Sequence, residues 1–326
     1  MKIVFYTGLN RLWLERIEEL KSEFDHAEFV TERKRVDGEV EDAHAIVGGH
    51  IPPELIQRAG NLIMIFVPFA GIDALPLDQI KARGIRISNS HGNAPYVAER
   101  AIAMALAFYG RIIDYHNDLR NAKWHGYTVK KGVSDSWNSL QGRTCAILGT
   151  GEIGCNIARL LKAFGCTTIG FKKHQANRRP EYFDEITLTL NEALEEGELI
   201  FISLPLTDET RGMLSPENLA SLKGKVLINV GRGEIVDEEG LYRSLKAGIL
   251  KGAGIDVWYT YPRDREMEVH PSRFPIHELP NVVLSPHIAG FTPQAAELNI
   301  EQSIENIRSY LRTGSPLFEV DLELMY

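Results

Sequence analysis

Short apolar runs rich in β-branched and aromatic residues alternate with stretches of helical period from the start of the chain. KIVFYTG is followed by RLWLERIEELKSEF, then AEFV, HAIVGG, PPELIQRAG, LIMIFVPF and IRISNS. Near-continuous apolar runs suit strands buried on both faces, and helices between them make such strands parallel. The first part of the chain therefore predicts a parallel sheet covered by helices. APYVAERAIAMALAFYGRIIDYHNDL, apolar on nearly every face in its middle, predicts one long helix buried between domains or subunits. A second series begins at residue 144: TCAILG, TTIGFK, LIFISLP, VLINVG, GAGIDV and VVLSPH predict six strands of a second doubly wound sheet. After Gly290, Thr292 as cap, Pro293 at the first position and Gly314 at the end predict a last helix that returns to the first domain.

Composition narrows this α/β picture. A chain of 326 residues exceeds the usual single core, so two domains are expected. Hydrophobic content of 44% and charged content of 25% describe a soluble globular protein, and no apolar run approaches the roughly 18 residues of a membrane span. The formal charge of -8 argues against nucleic acid as a partner while leaving room for local basic pockets. Three cysteines without metal spacing suit reduced thiols, and MKIVFYTG shows no secretory pattern, so the expected location is the cytoplasm. His91, His125, His270 and His277 show no ligand spacing, and no metal is expected.

The strand TCAIL leads into Gly149-Thr150-Gly151-Glu152-Ile153-Gly154 and then a helical run. Glycines there permit a tight turn, let the backbone approach a pyrophosphate and let helix pack on strand, while the helix start presents unpaired N–H groups to the anion. With strand, turn, helix and next strand in order, the segment predicts dinucleotide binding. An acid normally ends the second strand and accepts a bond from the adenosine ribose; here Lys172 stands there. Lys172, Lys173, Arg178 and Arg179 suit a 2′-phosphate, so NADP(H) is favoured and NAD(H) possible. The alternative is a solvated basic loop with the ribose held by backbone groups.

Arg232 follows the fourth run of the second series, between two glycines, and His287 closes the sixth. Both positions fall at the carboxyl edge, where open α/β sheets bind ligands. A fixed guanidinium can grip a carboxylate and polarise its neighbouring carbonyl, and a histidine can exchange a proton with the resulting alcohol.

These residues and the segments around them resemble the D-isomer-specific 2-hydroxyacid dehydrogenases over nearly the whole length. The matching stretches are FAGIDALP, NAPYVAERAIAMALA, LQGRTCAILGTGEIG, LPLTDETRGML, INVGRGEIVDEEGLYRSLKAGILKGAGIDVW and VVLSPHIAGFT. The resemblance implies a Rossmann dinucleotide-binding domain, residues 99–291, inserted in a flavodoxin-like substrate domain, residues 1–98 and 292–326, with a cleft between them and commonly a homodimer. It implies that Arg232 clamps the substrate carboxylate and His287 is the acid/base. It further implies that Asp256 meets the nicotinamide amide, that Pro205, Val230, Gly231, Ala289 and Gly290 border the cofactor, and that backbone N–H groups of Ala70 and Gly71 hold the substrate carboxylate.

The chain departs from the family pattern at the ribose acid, replaced by Lys172, and at the glutamate usually found five residues after the aspartate of the DV motif, replaced by Tyr261. A neutral tyrosine supplies no charge to favour imidazolium, but its hydroxyl can bond an imidazole nitrogen. Glu266 or Glu268 offers an acid from the same loop, and packing in the cleft is a further reading of Tyr261. Trp124, Trp258 and Tyr259 either border a substrate or pack in the core. The activity expected is NAD(P)-dependent interconversion of a small 2-oxo acid and its D-2-hydroxy acid. Hydride transfer from a formate-like donor and dinucleotide sensing with little turnover are the alternatives.

Overall fold

The computed structural model describes residues 1–32, 38–173, 180–262 and 268–324. By internal contacts the chain divides into Met1–Asn93 with Phe291–Tyr326, and Ala94–Gly290. The divisions fall five residues before the first boundary expected from the sequence and one before the second, because the helix starting at Ala94 belongs whole to the second unit.

The first unit carries β1 (Lys2–Phe5), β2 (Glu28–Val30), β3 (Ala45–Val47), β4 (Met64–Phe66) and β5 (Arg86–Ser88), parallel throughout, in the order β2-β1-β3-β4-β5. Alternate side chains of β1 face opposite layers, as the strand period of two requires. Ile3 and Phe5 join Trp13 and Ile17 of α1 (Arg11–Glu23) and Ile300, Ile304 and Ile307 of the C-terminal helix Pro293–Thr313. Val4 joins Leu55 and Ile56 of α2 (Pro53–Arg58) and Ile80 of α3 (Leu77–Ala82). The C-terminal helix has the ends its sequence predicts: Thr292 accepts the Ala295 N–H at 3.0 Å, and Gly314 closes it at φ 79°.

Among its described residues the second unit holds seven parallel strands: β6 (Thr144–Leu148), β7 (Thr167–Phe171), β8 (Glu185–Thr187), β9 (Leu199–Ile202), β10 (Val226–Asn229), β11 (Gly252–Ile255) and β12 (Val282–Leu284), in the order β12-β11-β10-β9-β6-β7-β8. The pattern predicts six. The strand it misses, β8, is an edge strand that among the described residues pairs with β7 alone, and its residues, Glu-Ile-Thr, are at most half-buried and present no apolar run.

The single long helix expected after residue 93 is two, α4 (Ala94–Tyr109) and α5 (Ile112–Arg120). Arg111, between them, is left-handed at φ 49°, which a continuous helix does not allow. α4 is buried against α6 (Glu152–Ala163) and against β10, β11 and β12, whereas α5 buries none of its residues. Further helices of the second unit are α7 (Leu190–Glu196), α8 (Pro216–Ser221) and α9 (Glu238–Lys246). Among the described residues no helix is long and apolar enough to cross a membrane.

Candidate active site

Strand order in the second unit reverses at β6, with β7 on one side and β9 on the other. The glycine turn sits at that reversal, the place where open α/β sheets bind ligands. Its three glycines have separate physical reasons. Gly149 takes φ 105°, closed to other residues, and a Cβ there would stand 3.0 Å from the Ser203 carbonyl carbon. A Cβ on Gly154 would collide with the Gly149 carbonyl oxygen, so this glycine lets α6 pack on the turn. Gly151 has open space before it and caps α6 without a side chain, leaving the first-turn N–H groups of Glu152, Ile153 and Gly154 facing an approachable surface. Thr150 packs beside Gly170 of β7, where any Cβ would strike its methyl group at 2.7 Å. This cradle fits a pyrophosphate.

Lys172 follows β7 and donates its backbone N–H to Thr187 at 3.2 Å, fixing the strand end where the ribose acid normally stands. Lys173, beside it, is ion-paired with Glu209. Arg178 and Arg179 lie outside the described residues. Pro205 follows β9; its carbonyl accepts the Thr210 hydroxyl at 2.7 Å, which closes the Pro205–Thr210 loop.

Arg232 owes its position to Asn229, a buried amide at the end of β10 that the sequence reading passed over. Asn229 Oδ1 accepts the Gly231 N–H at 3.0 Å, and its Nδ2 donates to the Arg232 carbonyl at 2.9 Å. A Cβ on Gly231 would stand 2.8 Å from the Leu204 carbonyl oxygen, and one on Gly233 would strike the Trp258 carbonyl. The two glycines flanking Arg232 thus let its loop lie against both neighbouring strand ends. Val230 is buried behind it.

Asp256, at the end of β11, is 1% exposed. Its Oδ1 accepts the Ser285 hydroxyl and the Ile288 N–H, the latter at 3.1 Å, and its Oδ2 accepts the Ala289 N–H at 3.0 Å. The residue between these donors is His287, left-handed at φ 56° and exposed. Successive N–H groups turned onto one anion by a left-handed residue form an anion-binding nest, and here the anion is the protein's own. Asp256 therefore holds the His287 loop, a role absent from the sequence reading. The signal was available in part: Ser285 is a polar residue at the end of an apolar strand.

The Tyr261 ring lies against His287, with centroids 5.3 Å apart and planes tilted by 53°. Its hydroxyl turns back to accept the Trp258 N–H at 2.8 Å. Burial pushes the phenol above its usual range, opposed by the Trp258 N–H and the Arg232 guanidinium, so a neutral hydroxyl stands here at neutral pH. The ring as a whole is 40% exposed. Glu266 lies outside the described residues, and Glu268 is exposed. Trp258 and Tyr259 belong to the core, their polar atoms bonded to the Ser285 and Val236 carbonyls, whereas Trp124 is exposed.

One sheet edge thus carries a pyrophosphate cradle, a clasped arginine and a clasped histidine. Residues 102–289 match the family model described as D-isomer specific 2-hydroxyacid dehydrogenase, NAD binding domain. The chain belongs to that family. Membership makes the protein a nicotinamide-dependent oxidoreductase that interconverts 2-oxo acids and 2-hydroxy acids. Among relatives of this dehydrogenase family, a hydroxypyruvate reductase of Thermotoga maritima is 31% identical, over 75% of this chain and 76% of its own. A glyoxylate reductase of Korarchaeum cryptofilum is 29% identical, over 88% and 85%. An NADPH-dependent glyoxylate/hydroxypyruvate reductase from Sinorhizobium meliloti, solved with NADP and malonate, superposes with a TM-score of 0.78 at 27% identity, over 99% and 98%.

Ala70 and Gly71 lie in the first unit, in the turn after β4. Asn89 Nδ2 donates to the Ala70 carbonyl at 2.8 Å, and Asn306 Nδ2 donates to the Asn89 carbonyl at 2.9 Å. Two buried amides thereby fix this turn, and neither was marked by its sequence pattern.

Proposed function

We propose that this dehydrogenase reduces a small 2-oxo acid of the glyoxylate or hydroxypyruvate class to the D-2-hydroxy acid. The observation that carries the reading is the occupancy of one sheet edge by the glycine cradle, Arg232 and His287, each held by buried neighbours. When bound, the nicotinamide supplies the hydride. Arg232 grips the substrate carboxylate and its neighbouring carbonyl oxygen, so negative charge developing on that oxygen meets a fixed cation. His287 delivers a proton to the new alkoxide. Backbone N–H groups of Ala70 and Gly71 donate to the substrate carboxylate. Residues 1–98 with 292–326 form the substrate domain and residues 99–291 the cofactor domain, up to the small differences in boundary described above. Pro205, Val230, Gly231, Ala289 and Gly290 border the cofactor, and Asp256, held as it is, keeps one lone-pair site for the nicotinamide amide.

Tyr261 takes the place of an acid, and its ring packs against the imidazole without adding charge. Tyr261→Glu is expected to raise the apparent pKa of the rate profile by about one unit, the shift an adjacent carboxylate commonly produces; an unmoved profile removes Tyr261 from the site.

Lys172 supports a preference for NADP(H). Lys172→Asp is expected to weaken NADPH about tenfold or more relative to NADH, the loss of roughly one charge-assisted bond plus new repulsion; tighter binding of NADH by the wild type overturns the preference. A homodimer in the cytoplasm completes the reading; exposed Ile112, Leu119, Tyr127, Val133 and Trp137 support the dimer.

The deciding assay follows NADPH and NADH oxidation with glyoxylate, hydroxypyruvate, pyruvate and branched 2-oxo acids, and reduction of the oxidised cofactors by formate. Turnover with formate alone favours the formate-like reading; tight cofactor binding without turnover favours the sensor.

A further inference from the structure

Behind the His287 loop, one polar chain leads to a helix of the second unit. Arg100 of α4 donates from Nε and Nη2 to the Ser285 hydroxyl, both at 3.1 Å. The Ser285 hydroxyl donates to Asp256 Oδ1, and the Ser285 carbonyl accepts the Trp258 indole N–H at 2.8 Å. A hydroxyl has one proton and two lone pairs. With two guanidinium N–H groups on its lone-pair side, its proton faces the carboxylate, which fixes the direction from Arg100 through Ser285 to Asp256. Ser285 is 2% exposed, leaving no ready access for a water to substitute.

We infer that Ser285, oriented by Arg100, is a positioning residue for His287: it locks the Asp256 clasp that holds the imidazole-bearing residue left-handed. The inference rests on the reading of His287 as the acid/base. A residue other than glycine is disfavoured in the left-handed region and stays there only while its surroundings hold it. The surroundings here are three donors on one carboxylate, two after His287 and one before it. Without the Ser285 hydroxyl the carboxylate keeps the Ile288 and Ala289 N–H groups but loses, among the described residues, its anchor from before His287, so that carboxylate and loop can shift together. Trp258 ties in the last member, since its indole holds the Ser285 carbonyl while its backbone N–H holds the Tyr261 hydroxyl. The serine and the aromatic ring against His287 thus share one anchor.

The test compares Ser285→Ala, Ser285→Thr, Arg100→Met and His287→Gln in the full chain with cofactor. Ser285→Ala is expected to lower kcat for 2-oxo acid reduction roughly 10- to 100-fold, the cost of an imidazole misplaced by about an ångström, with cofactor KM within about twofold and the pH profile of kcat displaced. Ser285→Thr, which keeps the hydroxyl, restores most of kcat; Arg100→Met gives a smaller loss with the same split. Wild-type kcat and pH profile in Ser285→Ala, alongside an inactive His287→Gln, overturn the inference and leave the reading of His287 standing. Equal loss in the alanine and threonine variants also overturns it, because the hydroxyl is then not the cause. Wild-type activity in His287→Gln overturns the reading beneath it instead. If Ser285→Ala does not fold, Arg100→Met decides by the same split, and an unchanged kcat and profile there overturn the inference.

Discussion

The two sheets are built alike, from parallel strands with helices between, yet the turn at Ala70 and the loop at His287, each beyond a strand end, are fastened by different means. In the first unit the fastening is neutral: Asn89 holds the Ala70 carbonyl, and Asn306 holds Asn89 while its Oδ1 accepts the Leu317 and Phe318 N–H groups, each at 3.1 Å. At the His287 loop of the second it is ionic, although the Arg232 turn there is held by the neutral Asn229 amide: the Asp256 carboxylate gathers a hydroxyl and two backbone N–H groups, and a guanidinium stands one bond further back. Amides offer donors and acceptors alike and suit a turn in ordinary conformation. A buried anion attracts each of its donors more strongly, which suits a loop whose histidine sits in a costly backbone region.

Deleting the anion is the harshest way to break this contrast. Asp256→Ala leaves a buried hydroxyl and two N–H groups without acceptors and is expected to cost about 4 kcal/mol, seen as a lowered melting temperature and faster hydrogen exchange over residues 285–290. Asn306→Ala strips three neutral bonds from the first unit and is expected to cost about 2 kcal/mol. A larger loss from the asparagine than from the aspartate inverts the comparison.

The smallest effect is a pH response, because a charged fastening can be titrated and a neutral one cannot. His125 lies between Asp135, whose oxygens are 2.9 and 3.0 Å from Nδ1, and Asp118, 2.8 Å from Nε2. Asp135 first and then Asp118 raise the imidazole above its usual 6.5, so its contribution is complete below that value and is lost as pH rises through the folded-state value. The Gly126 N–H and His125 hold Asp135 down to about 2, so its contribution is complete above the usual 3.8 and is lost as pH falls toward 2. Hydrogen exchange over residues 121–137, corrected for the intrinsic rate, is expected to accelerate on the alkaline and the strongly acid sides, while residues 86–90, where Glu319 pairs with Arg86, show no acceleration on the alkaline side. A flat profile over 121–137 removes the ionic fastening there.

What the sequence discloses follows from how locally each feature is written. The glycine turn, Arg232 and His287 are legible because each lies within a few residues of an apolar strand that announces itself. β8 is not, because an edge strand need not be apolar. The break at Arg111 has one local sign, Gly110 beside it, but a glycine alone does not end a helix and the left-handed Arg111 is not written in the sequence. The fastenings are the least legible: Arg100 meets Ser285 across 185 positions and Asn306 meets Asn89 across 217, and nothing in either neighbourhood names its partner. Lys173 is legible as a cation beside Lys172, whereas its pairing with Glu209, thirty-six positions on, is not.

The helix Pro293–Thr313 places three isoleucines against strand β1, near the other end of the chain. On the ribosome those isoleucines emerge only after the whole of Ala94–Gly290 has been made, a delay of roughly 10–40 s at common rates of synthesis. Throughout that interval Ile3, Phe5 and Trp13 wait with α1 in place and the rest of that layer missing. The second unit is complete and able to fold before the first can close.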